Sequence, residues 1–304
     1  ITTHDGAVLR GVRIKADEAK DNRTQQNVMV YFGGQRGCYE HYFDRYMGYT
    51  HDQIQSQKST LERLPKQDTS DLAALANSKN MDVLMMNPRG VLDSATGTHA
   101  QNTTDLVTDG IAMVQYLLSQ STPPERIVLN GHSLGAGIAT MVAAHFHSLI
   151  PPMKVNLIND RSFAQLSKVS VGNMASRAIK EICGKSLLGR LARFILGGLC
   201  GAIINVAQCA LAPLMKNYNV DLDVVTAWKA IPGENKLLIY SEQDQMMKGA
   251  SLHEALGSPD STVLMTDKDK ERDTHNGDHS SDVALAMSKF VFAVEERAKV
   301  QNLK

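Results

Sequence analysis

Short apolar runs alternate along the chain with longer segments of helical spacing. The apolar runs occupy residues 28–32, 83–86, 127–129, 155–158, 236–240 and 262–265, and residues 7–14 alternate apolar and polar positions. Helical spacing marks residues 71–78 and 104–118 and a final segment that contains Val283, Met287, Val291 and Val294. Buried strands that alternate with helices are typical of βαβ units. The pattern predicts one α/β domain, residues 1–304, with a mostly parallel, doubly wound sheet.

One long segment interrupts this alternation between the strands near residues 155 and 236. We expect a helical cap inserted at about residues 164–232, because no convincing strand occurs there. Within it, residues 194–214 form an uncharged run of 21 residues, which is long enough to span a membrane. The run contains Asn205, Gln208 and Pro213 and lies between two core strands, so a cap is favoured. A membrane span and a buried core helix are the alternatives.

The composition narrows the functional classes. The 304 residues carry 32 Lys and Arg against 32 Asp and Glu, a formal net charge of zero. Nucleic-acid binding through bulk charge is therefore not expected. The four cysteines form no CxxC pair, and the paired histidines and aspartates at 273–279 fit a solvated loop better than a metal cluster. We expect no metal and no cofactor.

The strongest chemical signal is Gly131-His-Ser133-Leu-Gly135, which follows an apolar strand and precedes a helix of small residues. A nucleophilic serine in such a motif sits on a sharp strand-to-helix turn, and small neighbours let the backbones pass. The turn exposes the hydroxyl above the sheet, and the helix N-terminus behind it stabilises developing negative charge. Ser133 is therefore the predicted nucleophile, a structural serine in a glycine-rich turn being the alternative.

Serine needs a base to take its proton and an acid to orient that base. When the nucleophilic serine lies on a strand-to-helix turn of this kind, it comes first in the sequence, followed by the acid and then by the histidine. Asp244 follows the strand at 236–240, and Asp160, a rival acid, follows the strand at 155–158. His275 and His279 both lie before the final helix. The predicted triad is Ser133, Asp244 and His275, with Asp160 and His279 as alternative members.

Two backbone N–H groups are expected to stabilise the oxyanion that forms on the substrate. The first is that of Leu134, the residue after the nucleophile. The second is that of Gln35, because Phe32-Gly33-Gly34-Gln35 follows an earlier strand and its glycines let a substrate approach the backbone. An ordinary glycine turn is the alternative for this loop.

Five motifs together resemble the α/β-hydrolase superfamily: YFGGQRGCYE at 31–40, NPRG at 87–90, NGHSLG at 130–135, DRSF at 160–163 and KLLIYSEQD at 236–244. More narrowly, they are similar to chlamydial CHLPS-type and lipase-like bacterial effector hydrolases, and to the α/β-hydrolase-domain depalmitoylases. The resemblance covers about residues 5–295. It implies triad roles for Ser133, Asp244 and His275, the HN pair at 275–276 fitting the family better than His279. The FGGQ loop departs from the HGN or NGN of relatives.

The cap suggests the substrate. Residues 182–220 contain no acidic residue but include Lys185, Arg190, Arg193 and Lys216, so the cap is suited to an acyl chain or to an anionic membrane surface. A cap that only covers the pocket is the alternative. We expect hydrolysis of a carboxylic ester or thioester, including lipid substrates, by a cytoplasmic protein or a secreted bacterial effector. A catalytically silent binding or membrane-docking module is the second hypothesis, and a C–C hydrolase or a peptidase would use the same triad.

Overall fold

The computed structural model describes residues 1–15, 26–34, 81–94, 98–169, 221–244, 246–257, 259–264 and 281–301, together with positions 215, 217 and 275. The described strands are β1 (Gly11–Ile14), β2 (Val28–Phe32), β3 (Asp82–Met86), β4 (Ile127–His132), β5 (Asn156–Asp160), β6 (Lys236–Tyr240) and β7 (Thr262–Leu264). They form one sheet in the order β1-β3-β2-β4-β5-β6-β7. Only β1 runs antiparallel to its neighbour β3, and the other pairs are parallel. The predicted mostly parallel sheet is confirmed.

Helices follow the strands in the described ranges. They are α1 (Thr103–Ser119), α2 (Leu134–His147), α3 (Val224–Lys229), α4 (Leu252–Leu256) and α5 (Ser281–Gln301), with short 3₁₀ turns at Leu92–Ser94, Pro124–Arg126 and Gly233–Asn235. The helix predicted at 71–78 lies outside the described residues. α1 begins with a capping box, in which Asn102 accepts from the N–H of Asp105 and the Asp105 carboxylate accepts from the N–H of Asn102, so its N-terminal N–H groups are satisfied.

The two faces of the sheet are covered by different helices. Alternate residues of β2 point to opposite faces, Val30 and Phe32 packing with α1, α2 and α3, and Met29 and Tyr31 with α5. The second face is closed by the apolar stripe of α5, in which Val283, Met287, Val291 and Val294 are all at most 1% exposed. Because both faces are buried, β2 is an unbroken apolar run and does not alternate with polar residues.

A buried ion-pair cluster ties the N-terminal segment to the sheet. The side chain of Arg89, just after β3, donates to Asp109 Oδ1 of α1 from Nε at 2.8 Å, and its backbone N–H donates to Asp109 Oδ2 at 2.9 Å. The guanidinium also pairs with Asp5. Burial raises the pKa of Asp109, and the hydrogen bonds from Arg89 oppose that rise. The cluster fixes the start of the chain against β3 and α1.

Most of the predicted cap at 164–232, including the apolar run at 194–214, lies outside the described residues. Its described parts are residues 164–169, positions 215 and 217, and residues 221–232. The last of these ranges contains α3 and leads back to the sheet at β6. In the described ranges, no helix combines the length and the apolar character that crossing a membrane requires.

Candidate active site

Ser133 occupies a strained turn between β4 and α2. Its backbone adopts φ 55° and ψ −119°, a region that non-glycine residues rarely occupy and that is found at functional sites. Small neighbours are required, since a Cβ at Gly131 would overlap the backbone of Gly135, and a Cβ at Gly135 would overlap the carbonyl oxygens of Phe32 and Gly33. The sharp turn therefore depends on both glycines.

The structure brings Ser133, His275 and Asp244 into one chain of hydrogen bonds. Ser133 Oγ lies 2.9 Å from His275 Nε2, and His275 Nδ1 lies 2.7 Å from Asp244 Oδ2. All three residues are buried, His275 being 2% exposed. Because the Asp244 carboxylate only accepts, Nδ1 of a neutral His275 carries the proton, and Nε2 accepts from the serine hydroxyl. Removal of the hydroxyl proton by Nε2 needs no rearrangement of these groups.

Backbone donors hold Asp244 in place. Its Oδ1 accepts the N–H groups of Met246 at 2.9 Å and Met247 at 3.1 Å, leaving Oδ2 to accept from His275. Two hydrogen bonds of this kind fix the orientation of the carboxylate. The acid lies four residues beyond β6, at the carboxyl edge of the sheet where sites of open α/β folds lie.

Asp160, the rival acid of the sequence analysis, has different partners. Its carboxylate lies 3.1 Å from His132 Nδ1 and accepts from Arg161 Nε at 2.8 Å and from Arg161 Nη2 at 2.9 Å. Burial lowers the pKa of His132 to about 4, against the opposing effect of Asp160. His132 is therefore neutral at pH 7, and its ring centroid lies 5.0 Å from that of His275. Sequence reasoning missed His132 and Arg161.

Of the two N–H groups expected to bind the oxyanion, the structure describes that of Leu134, at the start of α2. The N–H of Leu134 is the first of that helix, and the first N–H groups of a helix have no partner within it. Phe32 and Gly33 approach this turn closely, as the contacts at Gly135 show. Gln35 and His279, two of the predicted site residues, lie outside the described residues.

A cavity of about 290 Å³ adjoins the turn after Ser133. Its described wall is mostly apolar and comes from the ends of β2 and β3 and from α1 and α2, including Phe32, Gly33, Met85, Met86, Leu106, Met113, Leu134 and Ile138. The ion pair of Arg89 and Asp109 also borders it. Within the described ranges, no three His, Cys, Asp or Glu side chains are grouped so that they would hold a metal ion.

Comparison with known proteins bears on the fold. No protein-family model and no curated protein matches the sequence. Among solved structures, a proline iminopeptidase from Mycobacterium smegmatis superposes with a TM-score of 0.55 at 11% identity, over 95% of this chain and 96% of that chain. A Pyrococcus furiosus esterase gives 0.52 at 14% identity, over 98% and 88%. An acetyl xylan esterase from Paenibacillus sp. R4 gives 0.50 at 15% identity, over 96% and 81%. The chain has the α/β-hydrolase fold.

The α/β-hydrolase fold explains how residues so far apart in the chain meet. Ser133 follows β4, Asp244 follows β6, and His275 comes after β7 and before α5. The carboxyl ends of parallel strands lie at one edge of the sheet, so the loops that leave them converge there. The arrangement can activate the serine hydroxyl as a nucleophile and stabilise negative charge next to it.

Proposed function

We propose that the protein is a serine hydrolase that cleaves carboxylic esters or thioesters through an acyl-enzyme. The observation that carries the proposal is the chain of contacts from Ser133 Oγ to His275 Nε2 and from His275 Nδ1 to Asp244 Oδ2, at 2.9 and 2.7 Å. A serine hydroxyl is a weak nucleophile unless an oriented base removes its proton. Two of the similar structures are named as esterases and one as an iminopeptidase, which favours hydrolysis.

In the first half of the proposed reaction, Ser133 Oγ attacks the carbonyl carbon of the substrate while His275 Nε2 takes the hydroxyl proton. Asp244 keeps the imidazole oriented and stabilises the imidazolium that forms. The carbonyl oxygen becomes an oxyanion, which receives the N–H of Leu134 and a second N–H from the loop after β2, for which Gln35 is our candidate. His275 then protonates the leaving alcohol or thiol as its bond to the acyl carbon breaks.

In the second half, a water molecule replaces the leaving group. His275 Nε2 removes a proton from the water as its oxygen attacks the acyl carbon of the acyl-enzyme. The second tetrahedral intermediate collapses, the carboxylic acid is released, and the proton returns from His275 to Ser133 Oγ. The same residues act in both halves, with His275 alternating between base and acid.

The cavity beside the turn supports an apolar acyl group as part of the substrate. It lies between Gly33, at the end of β2, and Leu134, the two places from which the oxyanion donors are expected. Apolar lining with few polar groups suits a hydrocarbon chain. A volume of about 290 Å³ is at the small end of the usual range for ligand pockets, roughly 300–1,000 Å³. We therefore propose short to medium acyl chains.

Labelling with a fluorophosphonate probe tests the proposal, because such probes phosphonylate only an activated serine. We expect the parent protein to be labelled on Ser133, located by peptide mass spectrometry, and Ser133→Ala to remain unlabelled. Ser119→Ala, which changes an exposed serine of α1, is the matched control and should label like the parent. A folded parent protein that does not label contradicts the proposal.

A substrate panel separates the remaining alternatives. Nitrophenyl esters of increasing chain length and acyl thioesters distinguish esterase from thioesterase activity. The proposal that the cationic, apolar cap binds lipid or an anionic membrane surface is tested by sedimentation with anionic and neutral vesicles. Vesicle binding that persists in Ser133→Ala, without labelling or turnover in the parent, would instead favour the silent docking module.

A further inference from the structure

We propose that Arg161 and Asp160 form a positioning pair that holds the turn of Ser133 and the ring of His132 against His275. The inference rests on the proposed function, since it assigns these residues to the geometry of that reaction and not to substrate contact. Arg161 and Asp160 are buried, at 6% and 4% exposed.

Asp160 binds the nucleophile turn from two sides. Its backbone carbonyl oxygen accepts the N–H of Ser133 at 2.9 Å, and its carboxylate binds the side chain of His132, the residue just before the nucleophile. Both contacts come from the last residue of β5, the strand adjacent to β4. Asp160 therefore contacts both the backbone of the nucleophile and the side chain of the residue before it.

Arg161 fixes the Asp160 side chain. Its Nε and Nη2 atoms donate to the two oxygens of the carboxylate as a fork, at 2.8 and 2.9 Å, which determines the plane of the carboxylate as well as its location. The contact joins neighbours in sequence, whose side chains would point to opposite faces in a continuous strand. It forms here because the Arg161 backbone turns to φ 51°.

The ring of His132, which Asp160 holds in place, contacts the ring of the proposed base, His275. Because the Asp160 carboxylate accepts from Arg161 and from His132, Nδ1 of the neutral His132 carries the proton. Among the described residues no group bonds to His132 Nε2. The His132 ring that packs beside the His275 ring is therefore uncharged. The two ring planes meet at 43°.

The same segment reaches the acid on the other side of the site. The N–H of Arg161 donates to the carbonyl oxygen of Ile239 in β6 at 2.9 Å, and the N–H of Ala164 donates to the carbonyl oxygen of Ala250 at 2.7 Å. Ala250 lies six residues beyond Asp244. Burial lowers the pKa of Arg161, but the negative charges of Asp160 and Asp244 outweigh that effect and raise it. The segment from Asp160 to Ala164 therefore contacts the nucleophile turn, β6 and the chain beyond Asp244.

The double variant Asp160→Asn/Arg161→Gln tests the proposal without leaving a lone buried charge. The control is Asp82→Asn/Arg13→Gln, which removes another Arg–Asp pair, at 2.8 Å and more exposed, between β1 and β3. The rate of fluorophosphonate labelling and the steady-state kinetics of ester hydrolysis are measured on each protein. The temperature is one at which circular dichroism shows that protein to be folded. We expect the site variant to lose between about 10- and 100-fold in labelling rate and in kcat, with KM within about twofold of the parent.

The control should keep the parent labelling rate and kcat, whatever its unfolding midpoint. Arg161→Lys keeps the charge but not the fork, and its kcat should lie between those of the parent and of the double variant. A folded double variant with the parent kcat, or Arg161→Lys at the full parent rate, overturns the positioning role. Failure of the parent to label would instead reject the proposed function itself.

Discussion

His275 Nδ1 lies 2.7 Å from Asp244 Oδ2, and the other oxygen of that carboxylate is held by two backbone N–H groups. The acid is thus ordered independently of the base. Asp244→Asn should preserve the shape of this site. It replaces the carboxylate oxygen that accepts from His275 Nδ1 with an amide group that can donate. The imidazole then adopts the wrong tautomer for accepting the proton of Ser133.

For Asp244→Asn we expect kcat to fall by roughly 10⁴-fold with little change in KM. Steady-state hydrolysis of the best nitrophenyl ester measures both constants. Glu242→Gln, two residues earlier on the exposed side of the same loop, serves as the control and should retain the parent kcat. An Asp244→Asn variant that stays within tenfold of the parent argues for another acid.

Burial of neutral His132 makes the native state sensitive to acid. In the unfolded chain this group takes up a proton near its ordinary pKa of 6.5, whereas in the folded protein its pKa is about 4. The unfolded state therefore binds more protons between these values, and stability falls as the pH drops from 6.5 towards 4, by up to about 3 kcal/mol from this group. Asp160, Arg161 and His275 are the charged or titratable groups that act on it.

Urea unfolding of the parent and of His132→Asn at pH 7 and at pH 4.5 measures this contribution. We expect the parent to lose more stability than the variant over this interval, because only the parent carries the depressed histidine. Burial also lowers the pKa of His147, but that contribution is present in both proteins and cancels in the comparison. Equal losses in the two proteins would contradict the assignment.

Gly135→Ala should damage both stability and activity. The added Cβ would overlap the carbonyl oxygens of Phe32 and Gly33, forcing the start of α2 away from β2 at a cost of about 1–3 kcal/mol. Because the N–H of Leu134 moves with the helix, we also expect kcat to fall by about 10²-fold. Gly233→Ala, where the nearest atom is Ser261 Oγ at 4.0 Å, should leave kcat unchanged. Chemical denaturation and ester kinetics measure the two effects.

Arg89→Met should destabilise the fold by about 3–5 kcal/mol, since it leaves the buried carboxylate of Asp109 without its cationic partner. The double variant Arg89→Met/Asp109→Leu removes both charges and should recover most of that loss. Urea unfolding of the two single variants and the double variant gives the coupling energy. Additive losses would show that the contacts at 2.8 and 2.9 Å contribute little.

Met113→Trp should shift the acyl-chain preference. Met113 lines the cavity and is buried, so a larger side chain there shortens the space left for a substrate. We expect the ratio of kcat/KM for a hexanoyl ester to that for an acetyl ester to fall by at least about tenfold. Leu285→Trp on the exposed face of α5 is the control. An equal fall for both esters would place the acyl group elsewhere.

Part of the sheet was predictable from sequence because strands such as β2 and β6 are largely buried and form short apolar runs. Residues 28–32 and 236–240 were predicted as strands, and the structure has β2 and β6 at those positions. The short helices α3 and α4, of 6 and 5 residues, are too brief to show a helical period. Asp223 and Ser251 cap their N-termini, but helices this short form only with the support of tertiary contacts.

The sequence also indicated which residue types belong at the site but not all of their contacts. Ser133 was identified from its glycines, and the structure places Asp244 and His275 with it. Asp160 was the alternative acid by position. What distinguishes it is the side chain of Arg161, which folds back onto it only because of a backbone φ of 51°, and single-residue backbone conformations of this kind leave no periodic signal.

The separation of 142 residues between Ser133 and His275 bears on how the protein is made. A growing chain releases the nucleophile turn from the ribosome long before its base, and the contact between them is a long-range one. Such contacts form late because closing a large loop costs entropy before any interaction repays it. A nascent chain from which His275 has not yet emerged would therefore carry an inert serine, and hydrolysis would begin only after both loops have been released and have met.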